Sequence, residues 1–364
     1  MKSVAILVAS ILIICVIGTE LNQNAVHAAA TNPPISSTIS FNGDWSTGLS
    51  SNGNPGANTW KYIQQFVPDR ITRVSDIVRR FPYSARFELR PGDHAGTVGE
   101  DTQVTLMQDS NSNELYENES SGIQYYGISV RLDTSFPATT NVNSWMVVFE
   151  LHGPDVYSTN PVFQLDAYNP TLKTQSWCVG LRSGDIESVP SVTNYPLSKA
   201  TLNKGHWTDF ILKIKYAKDN TGSIDIWRRD EGETVFVNVL SLSNIATLQY
   251  KPSVSQIPGG HYWRVGPYRN SDSTTAILWV DGVTRGSTYE SILNTYQQVG
   301  LPSPTPTVKP GDLNGDNKVD ISDFAIFVSN FGRTGSAGFI PSDIDKNGVV
   351  DIFDYNQLVD NYGK

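Results

Sequence analysis

The feature that most constrains how this 364-residue chain can fold is a period of two in its apolar residues. In "ARFELRP" the apolar Ala85, Phe87 and Leu89 alternate with Arg86, Glu88 and Arg90, and the same alternation runs through "GISVRL", "WMVVFEL", "VFQLDAY", "DFILKIKY" and "AILWVDG". Successive side chains of a strand point to opposite faces, so such runs read as strands with one buried side. Clusters of Gly, Asn, Pro, Asp and Ser, as in "LRPGDHAG" and "AKDNTGS", separate them as turns. No long amphipathic helix interrupts the pattern. The expected fold class is therefore all-β, a two-sheet sandwich of the jelly-roll type over residues 31–300, with one face available to an extended ligand.

The two ends of the chain read differently. Residues 1–30 carry Lys2, the apolar run Val4 to Ile17, and "AVHAAA", which is the pattern of a secretory signal peptide. The apolar run falls short of the roughly 20 residues a spanning helix needs, so secretion to an extracellular location is expected rather than stable membrane insertion. Beyond the signal only Cys178 remains, which excludes an internal disulfide in the mature chain. Leu301 to Pro310, "LPSPTPTVKP", offers no core residues and reads as a Pro/Thr linker. The tail, residues 311–364, holds nine aspartates against four lysines or arginines, a net of −5 out of −9 for the whole chain. The body is close to neutral for its size, and no nucleic-acid partner is expected.

The tail contains a repeat. "DLNGDNKVDISDF" (Asp312 to Phe324) is echoed 31 residues later by "DIDKNGVVDIFDY" (Asp343 to Tyr355). Each copy sets oxygen side chains at loop positions 1, 3, 5, 9 and 12: Asp312, Asn314, Asp316, Asp320 and Asp323, then Asp343, Asp345, Asn347, Asp351 and Asp354. A hard cation such as Ca²⁺ takes six to eight oxygens in a flexible cage, and two calcium sites are the expectation. Gly348 fills the turn position of the second copy, while Asn317 stands there in the first; asparagine tolerates the left-handed backbone. A loop of this kind followed by a short helix resembles the duplicated dockerin module. The resemblance implies a small α-helical calcium-binding domain and a cohesin-type scaffold as partner, although the insertion "GRTGSAGFIPS" between the repeats departs from the compact pattern.

The chemistry of the body concentrates in "HYWRVGPYR", His261 to Arg269. As a strand it sends Tyr262, Arg264 and Tyr268 to one face, with His261, Trp263 and Arg269 on the other. Companions are His94 in the turn after "RFELRPGDH", His152 ending "FELH", and Gln164 with Asp166 and Tyr168 in "VFQLDAY". The order "ARFELRPGD", "YYGISVRL", "VVFELHG", "GHWTDFILKIKY", "GSIDIWRR", "YWRVGPYR", "ILWVDGVTRG" resembles the polysaccharide lyase family that includes glucuronan lyase and heparin lyase I, from about Phe41 to Tyr289. The resemblance implies a jelly-roll enzyme that cuts an acidic, uronate-containing polysaccharide by β-elimination.

Elimination needs an acid and a base, together with groups that meet the charge building on the uronate carboxylate. On that chemistry His152 is expected as base or carboxylate neutraliser, and Tyr268 as acid, with a base role left open. Arg90 and Arg264 are expected as carboxylate clamps. His94, Gln164, Tyr262 and Arg269 are expected to bind substrate. His206 reads as structural, and Glu88 as the ion-pair partner of its flanking arginines. No cofactor is implied for the elimination itself. One departure stands out: where relatives often carry an Arg-Ala-Glu or Arg-Ser-Glu element, this chain has "TQVTLMQDSNSNELYENES", without arginine. Two other functions fit a similar sandwich. A glycoside hydrolase would recruit two of Glu88, Glu150 and Asp166, and a noncatalytic carbohydrate-binding protein would use Trp145, Trp227 and Trp263 as platforms.

Overall fold

The computed structural model describes residues 38–80, 82–95, 99–137, 145–154, 161–188, 192–254, 260–296, 310–313, 318–334, 340, 342–345 and 347–363. The signal-peptide residues, nearly all of the linker, and Asn314 and Asp316 of the first acidic loop lie outside these.

The alternating runs become two eight-stranded antiparallel sheets. The back sheet runs Val237–Ile245, Gly222–Asp230, Trp207–Lys215, Ile123–Leu132, Ala276–Gly286, Ser84–Leu89, Ile71–Val74, with Ile39–Gly43 also paired to Ala276–Gly286. The front sheet runs Thr193–Pro196, Cys178–Leu181, Phe163–Asp166, Met146–His152, Tyr262–Arg269, Gln103–Gln108, Thr59–Gln64, with Glu100–Asp101 also paired to Tyr262–Arg269. Neighbours in both sheets come from distant parts of the sequence, so the pairing is set by which apolar faces can be buried together and not by local hairpins alone.

Between the sheets lies one core, to which the front sheet gives Phe149, Leu151, Phe163, Leu165, Val179, Trp263 and Val265 and the back sheet Phe87, Ile128, Phe210, Leu212 and Leu278. Trp263 stacks on Phe149 with ring centroids 4.3 Å apart and takes Phe163 edge-on at 5.8 Å. This tryptophan is 1% exposed, so it is a core residue and not a sugar platform. Truncating a residue so placed costs roughly 3–5 kcal/mol. Because these odd-numbered residues face inward, their even-numbered neighbours on the same strands form the outer face of the front sheet.

The outer face of the back sheet is closed by charge pairing and by a short helix, Tyr289–Tyr296. Asp209, fully buried, accepts hydrogen bonds from Arg79, Arg229 and Ser129 at 2.7–3.0 Å. Tyr296 reaches in from the helix and donates to the carbonyl of Phe210 at 2.9 Å. Cys178 is buried and unbridged.

In the tail, Ile321–Asn330 and Ile352–Asn361 are helices, each started by a reciprocal cap. Asp320 accepts from the amide of Ser322 while Asp323 accepts from that of Asp320, and Asp351 and Asp354 repeat the arrangement. Val319, Phe327, Ile340, Val350 and Leu358 form a separate small apolar cluster.

Candidate active site

Cross-strand pairing lines up polar residues from most strands of the front sheet. Tyr62 pairs with Thr105, Thr105 with Arg264, Arg264 with Glu150, Glu150 with Gln164, Gln164 with Gly180, and Gly180 with Asn194. Residues directly opposite in an antiparallel pair share a face, so this is one row running across the sheet. On one side of the row sits the pair Tyr262 and His152. On the other is a second row, in which Asp101 pairs with Tyr268, Tyr268 with Val147, Val147 with Asp166, and Asp166 with Cys178.

Two bulges keep Tyr268 on the face of Arg264. The register shifts between Val265 and Tyr268 on one strand and between Val147 and Phe149 on its neighbour. The first depends on Gly266, at φ +123°, where a Cβ would lie 2.3 Å from the carbonyl oxygen of Thr102 and 2.8 Å from the ring of Phe87. No residue but glycine fits there. Gly180 has a similar duty within the first row: a Cβ on it would stand 2.7 Å from Oε1 of Gln164, so its missing side chain gives that amide its place.

Arg264 is the cation of this face. Its Nη2 donates to the Tyr262 hydroxyl at 2.7 Å, its guanidinium lies 5.3 Å from the centre of that ring, and Nη1 is 3.6 Å from Oε1 of Glu150. The His152 ring is tilted against Tyr262 at 5.3 Å, with Nδ1 2.8 Å from the carbonyl oxygen of Gly153. Trp145 meets Tyr268 edge-on at 5.7 Å. Burial, then the carboxyl groups of Glu150 and Asp101, push the Tyr268 phenol up to about 12, against the pull of Arg264. A phenol so placed holds its proton, which suits an acid and opposes a base. Burial likewise pushes Glu150 up to about 7, against Arg264 and a hydrogen bond from Gln103, and Asp101 adds to the rise. Asp166 stands well above the ordinary carboxylate range through burial and then Glu150.

Of the residues expected from sequence, the structure thus brings His152, Gln164, Tyr262, Arg264 and Tyr268 to one face. Two arginines go elsewhere. Arg90 follows Ser84–Leu89, a back-sheet strand whose Ala85, Phe87 and Leu89 fill the core. Arg86 and Glu88 therefore point away from the front sheet, and Arg90 is ion-paired to Glu88, which also takes Arg86 at 2.8 Å. Arg269 is 2% exposed; it donates from Nε to Glu100 at 2.9 Å and from Nη2 to the Thr274 carbonyl at 2.5 Å, and does not join Arg264 beside Tyr268. His94 is exposed, bridged to Asp101, with Nδ1 against the carbonyl of Gly99. His206 is exposed, 3.4 Å from Glu231. His261 is buried on the core side, where Nε2 accepts from the Gln249 amide at 3.0 Å and burial lowers the ring to about 4.

Sequence reading missed Asp101 and Gln103; Gln103 lies in the segment noted only for lacking an arginine, and Asp101 immediately precedes that segment. It also gave Glu150 no part in an elimination, although that residue precedes His152 by two on the same strand and the period of two puts both on one face.

In the tail, oxygens of Asp343, Asp345 and Asp354 lie within 4.8 Å of one another. Asp343 is further fixed by the amides of Asn347 and Gly348, each donating at 3.0 Å. Three carboxylates converging in this way fit a hard cation, whose charge would relieve their repulsion. Asp312, Asp320 and Asp323 are described in the first loop, but no such convergence is found there among the described residues.

A family profile described as "Polysaccharide lyase" matches residues 45–284, more than half of the chain and the whole of the face just described. No curated protein matches the sequence. Among solved structures, the endo-β-1,4-glucuronan lyase of the fungus Trichoderma reesei is 19% identical, with 70% of this chain and 98% of that one covered at a TM-score of 0.50, a likeness of fold. A PL-14 alginate lyase from Aplysia kurodai is 9% identical over 61% of this chain and 92% of that one, at a TM-score of 0.39. The paired sheets and the profile match lead to one conclusion: this chain belongs to the polysaccharide lyase family and is a polysaccharide lyase.

Proposed function

We propose that the enzyme is a secreted lyase that cuts a uronate-containing polysaccharide by β-elimination across the outer face of the front sheet. The observation that carries this reading is the convergence there of Arg264, Tyr262, His152, Gln164 and Tyr268 from three adjacent strands. A uronate laid across the row would set its carboxylate against Arg264, with Gln164 as a further donor. A base takes the proton from C5, the C4–O4 bond breaks, and a C4=C5 double bond forms. The departing O4 stays on the neighbouring sugar and is protonated. His152 has the chemistry of the base or of a carboxylate neutraliser, and Tyr268, its proton held by burial, that of the acid. The solved glucuronan and alginate lyases with a similar arrangement of strands support a uronate polymer as substrate.

For the tail, the reading is a calcium-stabilised, dockerin-like tether with Asp343, Asp345 and Asp354 at the centre of one site and Asp312, Asn314, Asp316, Asp320 and Asp323 around the other. Calcium would supply the charge that holds each loop closed, and a cohesin-type scaffold is the partner this implies.

The test is a panel of glucuronan, alginate, glycosaminoglycans and plant polyuronates. A rise in ultraviolet absorbance from the new C4=C5 bond is expected with at least one. New reducing ends without that chromophore, or binding without products, would overturn the reading. For the tail, adding a chelator to the full chain is expected to abolish a distinct calcium-dependent melting transition, and a thermogram indifferent to calcium would remove the metal assignment.

A further inference from the structure

The outer face of the front sheet buries carboxyl groups close to one another. Glu150 stands between Arg264 and Gln164, its Oε1 3.6 Å from Arg264 Nη1. Its Oε2 is buried and has no hydrogen-bond partner among the described residues, and Oδ1 of Asp166, one row away, is in the same condition. The groups around Glu150 come from every neighbouring strand. Arg264 and Tyr268, with Tyr262 beside them, lie on one side, and Gln164 and Asp166 on the other. Gln103 hydrogen-bonds to Glu150, Asp101 acts on it through charge, and His152 stands two residues along its own strand. Asp101 already receives the amide of Ala95 at 2.9 Å and the side chain of Gln64.

Glu150 and Asp166, both buried, oppose each other's ionisation. An ionised Glu150 would also neutralise the charge that a uronate carboxylate has to meet. Resting on the uronate reading above, we propose that Glu150 is a positioning residue that works as an uncharged carboxyl, so that release of its proton sets a negative charge against the uronate and weakens its binding. The only bond that changes in this step is the carboxyl O–H, whose proton goes to solvent. Glu150 gives up that proton at a pH of about 7. Below it the Glu150 carboxyl brings no negative charge against the substrate. Above it the Glu150 carboxylate pairs with Arg264, and its charge also makes Tyr268 a weaker acid.

The test is kcat and KM on a cleaved polyuronate from pH 5 to 9, for the parent enzyme and for Glu150→Gln, which keeps the shape and removes the titration. In the parent, KM is expected to rise above neutral pH by on the order of tenfold per unit, the slope of one proton. In E150Q that rise should vanish, leaving KM at pH 9 at least ~10-fold below the parent's, with a smaller change in kcat. Superimposable KM profiles from two active enzymes would overturn this inference alone. A second measurement does not depend on the folding of E150Q and uses Tyr268→Phe: calorimetric binding of a short uronate oligomer at pH 8 in two buffers of different ionisation heat. Net proton uptake approaching one per site is expected, and binding without uptake would overturn the inference. A parent enzyme that neither binds nor cleaves any polyuronate would overturn the substrate reading and this inference with it.

Discussion

The outer faces of the two sheets carry similar residues and do different things with them. On the back sheet, charges are matched: Asp209 is held by two arginines and a serine, and Glu88 by Arg86 and Arg90. On the front sheet Arg264, Asp101 and Asp166 lie around Glu150, and oxygens of Glu150 and Asp166 are buried without hydrogen-bond partners among the described residues. A saturated charge network fixes structure and has nothing left to offer a ligand. An unsaturated one is costly to the fold and ready to bind, which is how functional sites depart from the rules that stabilise the rest of a protein.

Four tests sharpen or break this contrast. Tyr268→Phe removes the proton donor of the front face and is expected to lower kcat by about 10²–10⁴-fold with the melting temperature little changed; an active variant would break the assignment. Asp209→Ala leaves Arg79 and Arg229 buried without their carboxylate and is expected to cost about 3–5 kcal/mol in denaturant unfolding, while the folded fraction keeps its kcat. The third test sets two arginines side by side. Arg264→Ala is expected to raise KM for a polyuronate by roughly 10–100-fold, the loss of a charged hydrogen bond. Arg90→Ala, which removes the exposed member of a pair and leaves Glu88 still bound to Arg86, should stay within about twofold, an effect of ~0–1 kcal/mol. Equal effects would mean that both sheets meet the substrate. An intermediate effect is expected of Gly180→Ala, whose added methyl crowds Gln164: about 1–3 kcal/mol of overpacking, read as a lower melting temperature and a raised KM.

The comparison also shows which parts of the site were legible beforehand. In "HYWRVGPYR" the period of two separates Tyr262, Arg264 and Tyr268 from His261, Trp263 and Arg269, and the folded strand keeps that division. The same rule applied to "FELH" pairs Glu150 with His152. What it does not contain is any sign that "RFELRP" joins the opposite sheet. Arg90 and Arg264 look alike as sequence, each on an alternating strand and each near a tyrosine or histidine. They differ only in the strand that comes to lie beside them.

By itself the sequence determined the all-β class, the division of each strand into an inner and an outer side, and the spacing of acidic oxygens in the tail, because these follow from the geometry of a few consecutive residues. Only the tertiary structure decided which strands share a sheet, which arginine stands beside Tyr262 and Glu150, and which carboxyl groups are buried together. Those outcomes depend on neighbours that are scores of residues away, such as Glu150 beside Arg264 and Glu100 beside Arg269. Charge and burial act over a few ångströms of space, and folding alone sets which groups fall within that reach.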